Sequence, residues 1–172
     1  MCALDKTKMH DGRPFTPLCH DIGAKYGPVL QSNLDGKRLP PPGSPIYLMA
    51  IGNTNPMINI YMWKLYLKGN SLTGPFSIPV EAVTRAPEKY VVPQPGGTFL
   101  ENISDRLLFR LTYRNFGNHE SIVATHSVDN GYGLPAIRFY EFRDLSKKGN
   151  KVTVYQQGTF NPGDQVSRWM QR

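Results

Sequence analysis

The sequence predicts an all-β fold, and three observations support this prediction. Short apolar runs are separated by Gly, Pro, Asn and Asp along all 172 residues, which include 16 glycines and 15 prolines. Chains built from many short strands have this pattern. No stretch of a dozen residues free of Pro and Gly places apolar side chains at the spacing of an amphipathic helix. Finally, segments 58–66 and 137–145 are similar to each other, which predicts a repeated unit.

Eight strands are predicted in order along the chain, each a short run rich in Val, Ile, Leu, Tyr or Phe. They are Val29–Ser32, Ile46–Ile51, Ile58–Leu67, Phe76–Val80, Leu107–Tyr113, Ser121–His126, Ala136–Arg143 and Val152–Gln157. The segment RNFGNHE at 114–120 interrupts two alternating runs and is therefore the loop of a hairpin. Gly117 or Asn118 supplies the positive φ that this turn needs, and Asn115 bonds local backbone amides.

The repeat divides the chain into two β units. INIYMWKLY (58–66) and IRFYEFRDL (137–145) both place Tyr fourth, an aromatic residue sixth and a base seventh. YLMAI (47–51) corresponds in the same way to SIVAT (121–125). Within one repeat region, 1–172, the first unit spans 1–80, a Pro/Gly-rich linker 81–104, the second unit 105–160, and the start of a further unit 161–172. Antiparallel four-stranded repeats are typical of β-propeller blades, and a single β-sandwich is the alternative.

The charge pattern does not favour nucleic acid as a partner. The formal charge is +7, but basic residues are scattered, and their densest group, at 138–151, is interleaved with Glu141 and Asp144. No apolar run is long enough to span a bilayer, and the N-terminus lacks the pattern of a signal peptide. We therefore predict no nucleic acid, no membrane and no cofactor. Cys2 and Cys19 are the only cysteines, either joined in a disulfide or present as two reduced thiols.

A series of collinear segments carries a family resemblance. They are CALDKTKM (2–9), GPVLQSNLDG (27–36), LTGPFSIPV (72–80), VPQPGGT (92–98), DRLLFRLTYRNFGNHESIVATHSV (105–128), AIRFYEFR (136–143) and VYQQGTFNP (154–162). These segments resemble parts of large, secreted, propeller-like bacterial proteins of uncharacterised function. The resemblance implies a two-blade fragment of a longer protein that is secreted or at the cell surface. It also implies a Cys2–Cys19 disulfide, since similar proteins tend to carry both cysteines.

Three arginines form the first candidate binding group. Arg106, Arg110 and Arg114 are evenly spaced, which places them on one strand face. Sialidase-like propellers hold a carboxylate with converging arginines and add a Tyr/Glu nucleophile pair. Here the available pair, Tyr140 and Glu141, is adjacent and therefore lies on opposite faces. We expect the arginines to pair with local carboxylates or carbonyl groups.

The remaining candidates are two histidines, a glutamate and a turn. His119 and Glu120 are adjacent at the hairpin loop, so a structural role is favoured over shared acid/base chemistry. His126 is predicted to pack near a blade interface. Asn33 and Asp35, in SNLDG (32–36), are a weak calcium candidate, because an Asp-Gly turn needs no metal.

The leading functional hypothesis is a non-catalytic binding or structural module with a polysaccharide or protein ligand. A sialidase-like glycoside hydrolase is the alternative. A two-blade chain leaves two faces built for burial, so we expect either self-association through those faces or collapse of the two sheets onto each other. Trp63, Phe142 or Trp169 is expected at that contact.

Overall fold

A computed structural model describes residues 1–87, 92–146 and 151–170, and it confirms the all-β class with 49% strand and 5% helix. The elements are β1 (Cys2–Ala3), α1 (Lys6–His10), β2 (Leu18–Cys19), a 3₁₀ turn (Ala24–Tyr26), β3 (Leu30–Asp35), β4 (Ile46–Ile51), β5 (Met57–Tyr66), β6 (Ser71–Val83), β7 (Val92–Pro93), β8 (Phe99–Leu100), β9 (Leu108–Asn115), β10 (Glu120–Asp129), β11 (Pro135–Arg143) and β12 (Thr153–Phe160). All eight predicted strands are present, and their ends agree within three residues except in β6, which begins five residues before the predicted Phe76–Val80 and ends three residues after it.

The two predicted repeats are two antiparallel four-stranded units, β3 to β6 and β9 to β12. They form one eight-stranded sheet in the order β12-β11-β10-β9-β3-β4-β5-β6. The contact between the units is parallel and joins their first strands, with Ser32–Asp35 opposite Leu111–Arg114. Sequence periodicity did not predict this junction, because it pairs strands that are far apart along the chain.

The parallel junction interchanges the faces of the two repeats. β3 and β9 run parallel, and their two units extend away from this junction in opposite directions. A half-turn about an axis along the strands therefore relates one unit to the other. Such a rotation exchanges the two sides of the sheet. Tyr61 and Trp63 accordingly belong to the cluster on the outer side of the sheet, whereas their counterparts in the repeat, Tyr140 and Phe142, lie in the inner core.

The sheet curls into a half-barrel, and the inner faces of the two repeats share the main core. This core contains Tyr47, Met49, Ile51, Met57, Ile60, Met62, Ile78, Leu107, Leu111, Tyr113, Ile122, Ala124, Tyr140, Phe142 and Leu145. The outermost strands, β6 and β12, approach each other through side chains: the Glu81 amide donates to Gln157 Oε1 over 3.1 Å. Burial of apolar surface from both repeats stabilises the curled sheet.

The N-terminal segment covers the outer face of the first repeat. Tyr26 packs edge-on against Trp63 at 4.9 Å between ring centroids, over a cluster that includes Leu48, Ala50 and Leu65. The predicted disulfide is present: Cys2 and Cys19 are bonded, with their Cα atoms 4.0 Å apart, and they pair in the β1–β2 ladder. The disulfide closes residues 2–19, of which Ala3 packs against this cluster, and Tyr26 follows that loop.

The predicted linker and C-terminal segments pack against the second repeat. Ser127 Oγ of the second repeat donates to the Asn102 carbonyl over 3.3 Å, and Asn102 is fully buried. Residues 161–170, predicted to begin a further unit, are irregular, and the Arg168 amide donates to the Pro135 carbonyl over 2.7 Å. Among the described helices, none is long and apolar enough to cross a membrane.

Candidate functional site

The three predicted arginines lie in two different environments. Arg106 precedes β9 and forms a two-pronged pair with Asp105, with both N–O distances 2.7 Å. Hydrogen bonding from Arg106 keeps the pKa of Asp105 below its usual value. Arg110 and Arg114 are exposed on β9. The single face predicted for all three does not form, because β9 begins at Leu108 and its register with β10 shifts between Leu108 and Thr112.

The hairpin loop is a locally satisfied turn. Asn115 Oδ1 accepts from the Gly117 amide over 2.8 Å, and Gly117 has φ +94°, as predicted. The His119 ring stacks on Phe116 at 4.8 Å, and its Nδ1 lies 2.8 Å from Asn118 Oδ1. These contacts give His119 a structural role at the turn, separate from that of Glu120.

Glu120 makes its hydrogen bonds within the second repeat. Its carboxylate accepts hydrogen bonds from Tyr113 and from Ser146. Lys64, which is only 3% exposed, lies in the same region and donates to the Leu145 carbonyl over 2.9 Å. Burial lowers the pKa of Lys64, and the nearby Glu120 charge opposes that shift. Burial also raises the pKa of the Tyr113 hydroxyl, with Glu120 adding to the effect.

His126 is a packed core histidine, as predicted. It is fully buried, its ring stacks on Tyr140 at 5.6 Å, and Nε2 lies 3.0 Å from the Tyr140 hydroxyl. Burial, together with the charges of Arg138 and Arg85, lowers the pKa of His126 to about 3. Burial likewise raises the pKa of Tyr140 to about 12. Both side chains are therefore neutral at physiological pH.

The weak calcium candidate is an ordinary turn. Asp35 Oδ1 accepts from the Gly36 amide over 3.0 Å, and Gly36 has φ +79°, which accounts for the Asp-Gly pair. Asn33 is partly buried on β3. Within residues 1–87, 92–146 and 151–170, no three His, Cys, Asp or Glu side chains come close enough together to hold a metal ion.

An organised polar network lies on the outer side of the second repeat. Glu141 is its centre, accepting from Ser121 Oγ at 3.0 Å, Arg143 Nε at 2.6 Å and Gln156 Nε2 at 2.7 Å. Burial alone would raise the pKa of Glu141, but these hydrogen bonds outweigh burial and lower it. The Arg143 guanidinium stacks on the Tyr155 ring at 3.3 Å. Four polar side chains and an aromatic ring are thus held in fixed positions.

We call this surface the second-repeat outer face. It comprises Arg114, Ser121, Val123, Thr125, Phe139, Glu141, Arg143, Tyr155 and Gln156. Tyr155 is 56% and Val123 41% exposed. Phe139 lies across Gly158, where an added Cβ would come within 2.8 Å of the Phe139 ring. The face therefore offers aromatic surface beside its polar network.

The sequence pattern did not single out Glu141, Tyr155 or Gln156 as binding residues. Tyr155 and Gln156 reach the same side because the register of β11 and β12 shifts between Glu141 and Phe142, and a bulge of this kind has no clear sequence signal. A comparison of the two repeats does contain a signal for this network. Met62 of the first repeat corresponds to Glu141 of the second, an apolar-to-polar change at an equivalent position.

No protein-family model, curated protein or solved structure matches this chain.

Proposed function

We propose that the protein is a non-catalytic carbohydrate-binding module of an exported, propeller-like repeat protein, and that the second-repeat outer face is its binding surface. The proposal rests on a difference in burial between equivalent faces of the two repeats. In the first repeat the face containing Met49, Met62 and Lys64 is buried in the core. In the second repeat the equivalent face carries Val123, Glu141 and Arg143; Val123 is 41% exposed, Arg143 is partly exposed, and Glu141 is 8% exposed within its hydrogen-bond network.

The chemistry of the open face suits a sugar better than an apolar partner. Glu141 holds its three donors in a fixed network, so the polar groups around it are already oriented for a ligand. Tyr155 presents a flat ring that can pack against the C–H face of a pyranose while neighbouring polar groups bond hydroxyls. A blade or a second apolar sheet docked here would have to bury this network.

Export and the propeller relationship are parts of the same proposal. Disulfides persist in oxidising compartments, and Cys2–Cys19 is consistent with an extracellular protein. The propeller relationship rests on the repeat of four-stranded antiparallel units; propeller blades are separate sheets, whereas the two repeats here join through the parallel strands β3 and β9 into one sheet. Self-association through exposed faces remains a further proposal about partners.

Binding to immobilised neutral and acidic polysaccharides tests the proposal. We expect the wild-type protein to bind at least one polysaccharide and Tyr155→Ala to weaken that binding by about tenfold or more, since an aromatic contact contributes on the order of 1 kcal/mol beyond its buried area. Tyr132→Ala is the matched control, because Tyr132 is 69% exposed and lies on a different hairpin.

The control defines the outcome that contradicts the proposal. Thermal unfolding of both variants should match the wild type, since both side chains are exposed. If no polysaccharide binds, or if Tyr132→Ala weakens binding as much as Tyr155→Ala does, the second-repeat outer face is not a carbohydrate site.

A sialidase-like hydrolase is the second candidate, because Tyr113 donates a hydrogen bond to Glu120, as a Tyr/Glu nucleophile pair would. The raised pKa of Tyr113 opposes a nucleophilic role, and Arg106 is committed to Asp105. Release of a fluorescent alcohol from an aryl sialoside tests it: turnover by the wild type that Glu120→Gln abolishes would favour the hydrolase.

A further inference from the structure

A cavity lies between the N-terminal segment and the turn that follows β5. Its volume is about 510 Å³, which is within the range of roughly 300–1,000 Å³ that small-ligand sites have. Ala3 and Leu18, register partners in the β1–β2 ladder, form part of the wall together with Leu4, Phe15 and Leu67. The wall is therefore mainly aliphatic, with one aromatic ring.

The apolar side chains of this wall keep much of their surface in water. Leu4 and Leu67 are each 52% exposed, and Phe15 and Leu18 are only partly buried. Apolar surface around a cavity gains free energy when an apolar ligand displaces the water from it. A ligand of this cavity is therefore expected to have an apolar part.

The Cys2–Cys19 disulfide lies directly beside this wall. The two cysteines pair with each other in the β1–β2 ladder, next to the pair of Ala3 with Leu18. Two strands of two residues each hold together weakly by themselves, so the covalent bond fixes the wall in the absence of a ligand. A wall that is fixed in advance does not lose conformational entropy when a ligand binds.

The charged residues of the cavity are mainly basic. Lys6 and Lys8 line it, and Asp5 is the acidic residue among them. Asp5 Oδ1 already accepts a hydrogen bond from the Lys8 backbone amide over 3.0 Å, and Asp11 is paired with Arg13 at 2.7 Å. Among the residues that the structure describes, neither lysine side chain forms an ion pair. Two ammonium groups beside the cavity are thus available to an anion.

We propose that this cavity binds a free fatty acid of medium chain length. The alkyl chain packs against Leu4, Leu18 and Leu67, and the carboxylate pairs with Lys6 and Lys8. An aliphatic wall suits an alkyl chain, and a few charged groups beside an apolar cavity set the orientation of a ligand. A lysine ammonium attracts a carboxylate as a flexible point charge. The site is separate from the second-repeat outer face and does not depend on carbohydrate binding.

Octanoate, decanoate and octanol are suitable probes for titration calorimetry below their aggregation concentrations. Octanoate and octanol share an alkyl chain and differ in charge, whereas decanoate adds two CH₂ groups to octanoate. We expect decanoate to bind about tenfold more tightly than octanoate, because it buries more apolar surface. Octanol should bind about fivefold more weakly than octanoate, because it lacks the charge that the lysines attract.

The lysines are tested with a charge-matched control. Lys6→Gln with Lys8→Gln should lower the affinity for octanoate about fivefold and change the affinity for octanol less than about twofold. Lys37→Gln with Lys151→Gln removes the same charge from exposed positions outside the cavity, and it should change neither affinity by more than about twofold.

The apolar wall is tested with Leu67→Gln, which should weaken octanoate and octanol alike by about fivefold. Leu39→Gln is its control, because Leu39 is 71% exposed and is not part of the wall. All of these variants should melt with the wild type, because none of the replaced side chains is buried.

Several outcomes would overturn the proposal. It fails if neither fatty acid binds, or if octanol binds as tightly as octanoate. Equal losses of octanoate affinity in the two lysine variants would show general attraction rather than a site. Light scattering that shows a dimer dissociated by Leu67→Gln would make the cavity a contact between copies. Binding to phosphatidylglycerol vesicles without binding to free octanoate would make it a membrane contact.

The second-repeat outer face provides a final control. Tyr155→Ala should leave the affinity for octanoate unchanged, because Tyr155 lies on β12 of the other repeat. If Tyr155→Ala weakens octanoate binding as much as Leu67→Gln does, the fatty acid does not bind in this cavity. A failure to bind any polysaccharide would refute the proposed function and leave this proposal standing.

Discussion

Removal of the Cys2–Cys19 disulfide should destabilise the protein and uncover Trp63. The two cysteines are 17 residues apart in sequence, and in the chain-entropy model closure of a loop of that length contributes about 3 kcal/mol. The free energy of unfolding of Cys2→Ser with Cys19→Ser should fall by that amount. For a domain of this size the melting temperature should fall by about 6–12 °C.

The structure also predicts that loss of the disulfide changes the fluorescence of Trp63. The loop that the disulfide closes holds Ala3 against the cluster around Trp63, and Tyr26, which follows this loop, covers Trp63. Trp63 is only 2% exposed. Because the chain has two tryptophans, Trp169→Phe leaves Trp63 as the sole tryptophan fluorophore. In that background the disulfide-free variant should show a red-shifted emission at urea concentrations below the main unfolding transition.

Urea titrations followed by fluorescence and circular dichroism measure both effects. Wild-type protein in the presence of a reductant is the matched control and should behave as the double variant does. A free energy of unfolding within about 0.5 kcal/mol of the wild type, together with unchanged Trp63 emission, would show that the segment holds its position without the disulfide and would refute the reasoning.

The remaining predictions concern the inner core. Folded His126 has a pKa of about 3, below the ordinary value of about 6.5, so the unfolded state binds the proton first and stability should decrease as pH falls from about 6.5 towards 3. Urea midpoints across that range should show a smaller decrease for His126→Gln, and equal slopes would contradict the assignment. Phe142→Ala should cost about 3–5 kcal/mol, because Phe142 is fully buried between the repeats; calorimetry measures this, and Val123→Ala on the open face, as control, should cost far less.

The sequence predicted the strands and the repeat well because these features are local. Alternation of apolar and polar side chains and turn residues between them depend only on neighbours along the chain. The segment Ile46–Ile51 was predicted with the same bounds as β4, and the turn around Gly117 was predicted from its residue types. The disulfide followed from the family resemblance, whereas the spacing of the two cysteines alone left reduced thiols as an alternative.

The candidate site was predicted only in part. Arg110 and Arg114 were named from their spacing; both are exposed on β9, and Arg114 lies opposite Ser121 of the second-repeat outer face. Arg106 was grouped with them because regular alternation was assumed through residue 106, but the strand begins at Leu108 and its register shifts. Lys64 was not connected with Glu120, because nothing local links residues on different repeats.

The sequence by itself determined that this chain forms two four-stranded units with similar strands and turns. Only the tertiary structure decided which side of each unit is buried. Alternation places Tyr140 and Glu141 on opposite faces but does not say which face meets the core. The parallel pairing of β3 with β9 and the curl of the sheet turned Tyr140 inward and left Glu141 and Tyr155 on the open side. These are long-range contacts, stabilised by apolar burial between distant segments, and a local pattern cannot encode them alone.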